Sequence, residues 1–315
     1  MNNLIRLVGR RLVLLPIMVL GVTFLVFVLM SLSPIDPAYA ALGESATPEA
    51  LATYRETNGL NDPWYIQFGS YIAGMVQGDL GVYGQAGLPV ADKVFAALPI
   101  TLQLTFFGLI IAILISFPLG IIAALFRNRW PDQVIRFFSV IFIATPSFWL
   151  AILLVMAFIG KLPVAGGLPQ LSEDPLGWFE RMLLPAVSLA VPVIGQMTRI
   201  VRTSMVEELD SDYVRTAIGA GIPRSVVVSR NVLRNALITP VTVLGLRVGY
   251  LIGGAVVIEI IFNLQGMGRV LIDGITNSWV SVVQGSALVV AISFILVNII
   301  VDVLYVLINP RIRAV

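Results

Sequence analysis

The stretch VFAALPITLQLTFFGLIIAILISFPLGIIAALF, residues 94–126, carries not one charged side chain. One crossing of a hydrocarbon core ~30 Å thick takes about 20 apolar residues, because lipid offers no water to satisfy exposed backbone groups. The run is therefore ample for one tilted span. Outward from it, residues 12–32 are likewise uncharged, and 137–160 make a third crossing. Residues 182–198 are a shorter fourth, with Pro185 and Pro192 inside; it is extended toward Val201, with a kink or a late start expected. Residues 235–258, interrupted only by Arg247, and 274–301, continuing past Asp302 to about 308, complete six. The expected fold class is an all-α integral membrane protein with about six transmembrane helices.

Composition agrees. Hydrophobic residues make up 58%, charged residues 12%, and the mean hydropathy is +0.94, whereas soluble domains carry roughly a quarter charged residues. Of the 20 basic residues only Lys93 and Lys161 are lysines, and neither sits in a Gly-x-x-x-x-Gly-Lys-Ser/Thr phosphate loop. There is no Cys and no His, which excludes disulfides, thiol chemistry, Ser-His relays and the commonest zinc ligands. A formal charge of +2 is too small to point to nucleic acid.

Orientation follows from the arginines. With the N-terminus inside, the inner segments hold Arg6, Arg10 and Arg11; Arg127, Arg129 and Arg136; Arg199, Arg202, Arg215, Arg224, Arg230 and Arg234; and Arg311 and Arg313. The outer segments hold only Arg55, Lys93, Lys161, Arg181 and Arg269. Both termini are thus placed in the cytoplasm. Arg10-Arg11, an apolar stretch and Ala38-Tyr39-Ala40 also resemble a secretory signal, but 12–32 is longer than the 7 to 15 residues typical of a signal core, so an uncleaved helix is expected.

The expected division is a first helix with its cytoplasmic start over 1–32, an outer acidic segment over 33–93, and five further helices over 94–315. The outer segment carries Asp36, Glu44, Glu49, Glu56, Asp62, Asp79 and Asp92 against Arg55 and Lys93. A helix start is read at Pro48 after Thr47, and an interfacial amphipathic helix from Trp64 to about Met75. An ordered cap over the mouth of a pore is the reading, rather than a dedicated ligand site.

Between spans four and five, residues 204–234 read as a short helix, a turn at Gly221 and a second helix opened by Pro223. Glu207, Glu208, Asp210, Asp212 and Arg215 keep the first helix in water or against a partner.

This stretch resembles the permease subunits of binding-protein-dependent ABC importers, and among them the dipeptide/oligopeptide/nickel family. Those chains carry Glu-Ala-Ala-x-x-x-Gly and, after a spacer, Leu-Pro. Here Asp212-Tyr213-Val214-Arg215-Thr216-Ala217-Ile218-Gly219-Ala220-Gly221 precedes Arg234-Asn235-Ala236-Leu237-Ile238-Thr239-Pro240, with Arg215-Thr216-Ala217 in place of Glu-Ala-Ala. Similar to the same family are Ser33-Pro34-Ile35-Asp36-Pro37, Gly59-Leu60-Asn61-Asp62-Pro63, Gly78-Asp79-Leu80-Gly81, Leu98-Pro99-Ile100-Thr101-Leu102 and Gln265-Gly266-Met267-Gly268-Arg269. Ile35 departs where Gly is expected, and Ser278-Trp279-Val280 precedes Val283-Gln284-Gly285 in place of an Asp-containing run. The long outer segment resembles the "B" type of the two paired permeases.

The resemblance implies a type I ABC importer fold without an ATPase site, a second homologous permease, two ATP-binding subunits carrying ATP with magnesium, and an extracytoplasmic substrate-binding protein. It places the complex in a bacterial cytoplasmic membrane. It also implies that Asp212, Tyr213, Val214, Arg215, Thr216, Ala217, Gly219, Ala220 and Gly221 form the coupling helix that docks on an ATPase. Tyr213 and Ala217, at i and i+4, share one face and are the candidate contacts.

In span five, Gly245, Gly249 and Gly253 form a small-residue stripe, read first as helix packing and second as substrate contact. Arg247 lies on the other side and faces either the pore or an acidic partner. Arg247 and Glu259 are the candidates for the translocation path; ~18 Å of helix rise separates them, so they do not pair within the span. Nickel or another small solute is an alternative cargo. An ion-coupled carrier is the alternative of another class, and it would hold acids at the midplane, where this chain has none.

Overall fold

The computed structural model describes residues 2–32, 36–43, 46–164 and 166–308; of these, the side chains of 2–12, 40 and 302–308 are left aside. The Ser33-Pro34-Ile35 motif, Glu44, Arg311 and Arg313 lie outside the described residues, as do the side chains of Arg6, Arg10, Arg11 and Asp302. Nearly everything described is helix. Five helices are long and apolar enough to cross a membrane, and a sixth crossing arises if one bent pair counts as a span.

The chain forms two compact units. Among the described residues, one gathers 2–4, 102–264 and 297–308; the other joins 5–101 to 265–296.

In the second unit, α1 (Asn2–Ser31) runs from near the start of the chain with Pro16 inside it. Three short helices follow, α2 (Pro37–Leu42), α3 (Pro48–Thr57) and α4 (Trp64–Val76). Both starts expected from sequence are present: Thr47 Oγ1 accepts the Ala50 N–H at 3.2 Å, with Pro48 first in α3. Phe68 of α4 meets Phe24 and Phe27 of α1, each at 5.3 Å between ring centroids. A two-residue hairpin, β1 (Val82–Tyr83) with β2 (Leu88–Pro89), leads into α5 (Val90–Leu125). Asp36 accepts from Arg55, its Nε at 2.9 Å, and tethers α2 to α3.

The first unit is organised around α8 (Pro175–Leu209), which packs on α6 (Trp130–Ala144), α7 (Ser147–Phe158) and α12 (Ile238–Ile261). Here the sequence reading needs correction. The fourth span is no short segment over 182–198 but the 35-residue α8, started by Asp174, whose Oδ1 accepts the Gly177 N–H at 2.9 Å, with Pro175 in the first turn. Pro185 and Pro192 do not break it, because its buried face is held by neighbours on several sides. Gly195 lets α6 approach so closely that a Cβ there would stand 2.6 Å from the Ser139 carbonyl.

The third span, expected as one helix over 137–160, is instead α6 and α7 bent by 97°. Pro146 lacks an N–H and pushes the residue before it out of the helical region, and Thr145 sits at ψ 115°. The sixth span starts at Val280 rather than Gly274: α13 (Met267–Thr276) is separate from α14 (Val280–Ile308), and Ser278 turns the chain between them at φ 56°. The fifth span is shifted to Ile238–Ile261, with Pro240 in its first turn where no donated bond is lost.

Candidate functional site: the short helix between spans four and five

Helix α9 spans Asp212–Gly219; Glu207 and Glu208, which the sequence reading put on the same helix, belong to the end of α8, and the helix breaks at Asp210-Ser211 before α9 starts. Its C-terminus closes as a Schellman motif: Gly221 N–H donates to the Ile218 carbonyl at 3.0 Å and Ile222 N–H to the Ala217 carbonyl at 3.2 Å. The motif needs a left-handed residue, and Gly221 supplies it at φ 83°. After Pro223, α10 (Arg224–Val227) passes through one π-helical turn, Val228–Val232, into α11 (Leu233–Ala236). Pro223 caps α10 from outside rather than opening it.

An apolar cluster roots the segment. Val214 of α9 packs with Ala124 of α5, Val201 and Met205 of α8, Val227 of α10, Val232 and Ala236, all buried. Ala217 is packed against the same cluster. A polar knot sits beside it: Glu208 Oε1, at the end of α8, accepts from Tyr213 Oη at 2.7 Å and from Asn235 Nδ2 at 3.0 Å. Burial, and then the Glu208 carboxylate, push the Tyr213 phenol above its usual range. Arg127 pairs with Asp210 at 2.6 Å, fastening the chain after α5 to the end of α8.

The outer face of α9 is what remains free. The Asp212 and Arg215 side chains are 99% and 73% exposed, and Thr216, Ile218, Gly219, Ala220, Gly221 and Ile222 are exposed with them. Of the two residues singled out from the sequence, Ala217 packs inward on the cluster, while Tyr213 bonds Glu208 through its hydroxyl yet stays exposed beside Arg215, Ile218 and Ile222, which project. Between α9, α10 and the ends of α5 and α8 lies a cleft of about 790 Å³, apolar along Leu125, Leu209 and Ile218 and basic at Arg127, Arg129 and Arg224.

The span-five candidates are not brought together. Gly245 receives the Val301 side chain so closely that a Cβ would overlap it, whereas Gly253 faces open space; Leu189 instead approaches Gly254, at 3.0 Å from a built Cβ. Gly249 is half-buried. The Arg247 Nε is buried without a hydrogen-bond partner, and Glu259 is fully buried near the end of α12.

Sequence reasoning missed the main ion pair of this unit. Asp132, wholly buried, accepts Arg202 Nε and Nη2 at 2.6 and 2.7 Å and the Asn128 N–H at 2.9 Å. The signal available was Asp132 in the first turn of a helix opened by Trp130-Pro131; its partner, 70 residues on, leaves no local trace.

Residues 116–314 match the family described as the binding-protein-dependent transport system inner membrane component, and residues 4–105 match its N-terminal membrane component. The chain belongs to this family. It is therefore a multi-pass inner-membrane permease of the type I ABC importer fold, working with a substrate-binding protein and ATPase subunits. It is 40% identical over 292 residues to a glutathione transport system permease protein, GsiC, of Escherichia coli strain CFT073, covering 93% of this chain and 94% of that one. GsiC of strain K12 matches at 39% over the same length and shares. A Brucella abortus (strain 2308) chain provisionally named a peptide transport system permease protein is 38% identical over 301 residues, 95% of each chain.

Proposed function

We propose that this permease is one of two paired pore-forming subunits that import di- or oligopeptides, driven by two ATPase subunits carrying ATP with magnesium, with both of its termini in the cytoplasm. The cargo reading draws on the peptide and glutathione permeases to which the chain is similar. The mechanism rests on one observation: α9 is anchored on its inner face and bare on its outer face. Arg215, Ile218 and Ile222 enter a groove on the ATPase. Val214 and the Tyr213–Glu208–Asn235 knot pass the resulting push to α8 and, through Asn235, to the start of α12.

A helix ended by a Schellman turn and seated on a close-packed cluster resists bending, so ATP-driven closure of the ATPases moves the spans rather than the loop. Gly221→Pro removes the Gly221 N–H bond and forbids φ 83°. Ala217→Arg drives a charge into the cluster. Each variant is expected to abolish ATP-driven peptide uptake in proteoliposomes while the purified complex retains all its subunits. Normal uptake by either would contradict the proposal.

A further inference from the structure

The densest unassigned charge lies between α6 and α8. A cleft of about 540 Å³ is lined there by Gln133, Arg136, Phe137, Arg199, Arg202 and Thr203. Three guanidiniums meet one carboxylate, and that carboxylate is already committed: Asp132 is bidentate with Arg202 and also accepts a backbone N–H. Arg136 Nε pairs with the same carboxylate at 3.9 Å, an ion pair without a hydrogen bond. Arg199 is exposed and makes no ion pair or hydrogen bond among the described residues. Two positive charges are left facing an open cleft rimmed by the neutral hydrogen-bonding groups of Gln133 and Thr203.

The cleft also has a polarity gradient. Gln133, Arg136, Phe137 and Val140 fall at i, i+3, i+4 and i+7, on one face of α6. Along that face the chemistry passes from amide to guanidinium to exposed apolar surface, since Phe137 and Val140 are both exposed. Arg136 lies ~9 Å along α6 from Trp130, and Arg199 ~15 Å back from the end of α8 at Leu209. That depth suits a headgroup phosphate above acyl chains. A free anion would leave Phe137 and Val140 without an apolar partner.

We propose that this cleft binds the phosphate headgroup of an anionic phospholipid, with an acyl chain laid along Phe137 and Val140. Basic pockets between membrane helices on the cytoplasmic side take such headgroups. The placement in the cytoplasmic leaflet rests on the orientation proposed above.

The test uses the assembled importer, stripped of lipid and returned to nanodiscs containing both phosphatidylglycerol and phosphatidylcholine, with retained lipid weighed by native mass spectrometry. Retention is read without ATP or peptide, so a failure of the transport reading leaves it unaffected. The wild type is expected to favour phosphatidylglycerol roughly thirty-fold, about fivefold for each of the cleft's two net positive charges. Arg136→Gln with Arg199→Gln should erase the preference, and Arg136→Lys with Arg199→Lys should keep most of it. Equal retention of the two lipids by the wild type, or an unchanged preference in the double Gln variant, would overturn the proposal. So would an Arg199→Cys thiol, the sole cysteine in the chain, that is closed to maleimide in the assembled importer free of phospholipid, because a protein neighbour would then fill the cleft.

Discussion

The segment between α8 and α12 and the segment between α1 and α5 are built to different standards. Between α8 and α12, a cluster of buried aliphatic side chains and a three-residue polar knot fix α9, and nearby Arg202 closes on a fully buried carboxylate. Between α1 and α5, α4 shows no buried residue, α3 buries only Leu51, and the main tether is an Asp36–Arg55 pair with side chains about a third exposed. The difference teaches what each segment transmits. On the proposed mechanism α9 is a lever and must not yield under load, whereas a segment with so few buried contacts is drawn from the low-stability end of the fold.

The widest gap between the regions should appear at Asp132. Asp132→Ala strands Arg202, whose side chain is only 16% exposed, and the loss of one partner of a buried pair costs about 3–5 kcal/mol. The purified permease should melt well below the wild type, and Asp132→Ala with Arg202→Met should recover much of the loss. Additive losses in that double variant would show that the pair does not stabilise α6 against α8.

Next is Gly221→Ala. Space is free around a built Cβ there, so the effect is backbone strain alone, about 1–2 kcal/mol for a left-handed alanine. Uptake per ATP should fall with little change in melting temperature. Unchanged coupling would mean that the turn after α9 need not be stiff.

Tyr213→Phe removes one hydrogen bond to Glu208, about 0.5–1.5 kcal/mol. Because Asn235 still holds Glu208, the knot loosens rather than opens. A double-mutant cycle with Glu208→Gln should show coupling, and its absence would remove the knot from the account.

The smallest effect belongs to the outer tether. Burial raises the Asp36 carboxyl, but the Arg55 hydrogen bond, the Ala38 N–H and the Arg55 charge together hold it below its ordinary 3.8. A lowered folded-state value means that the stabilisation is complete above about pH 3.8 and vanishes as pH falls through the depressed value. Solvent screening limits it to about 0–1 kcal/mol. Hydrogen exchange in α2 and α3 should quicken only in that acid window; an Asp36→Asn variant with the same pH profile as the wild type would exclude the pair as the cause.

Much of this was legible in the sequence. Long uncharged segments read as spans because length without charge has no other stable solution in lipid, and five of the six are single crossing-length helices while the sixth is the bent α6–α7 pair; the end of α9 reads from Gly221, whose role is local. The prolines act differently from place to place. Pro146 bends a segment with exposed surface on both sides, while Pro185 and Pro192 are absorbed by a helix whose neighbours hold it. Proline carries the same local cost in each place, and packing decides the outcome. The inner face of α9 was hidden for the same reason. Asn235 reaches Glu208 across 27 residues and Arg202 reaches Asp132 across 70, and no periodicity records such pairings.

The central claim, that the bare face of α9 is the ATPase contact, is tested most directly by cross-linking. Because the chain has no cysteine, Arg215→Cys and Ile218→Cys each give a single reactive site for a short bifunctional reagent in the assembled importer. The account predicts cross-links from both positions to an ATPase subunit, at yields that change when ATP is added. No ATPase product from either position, in a complex that still imports peptide, would contradict it.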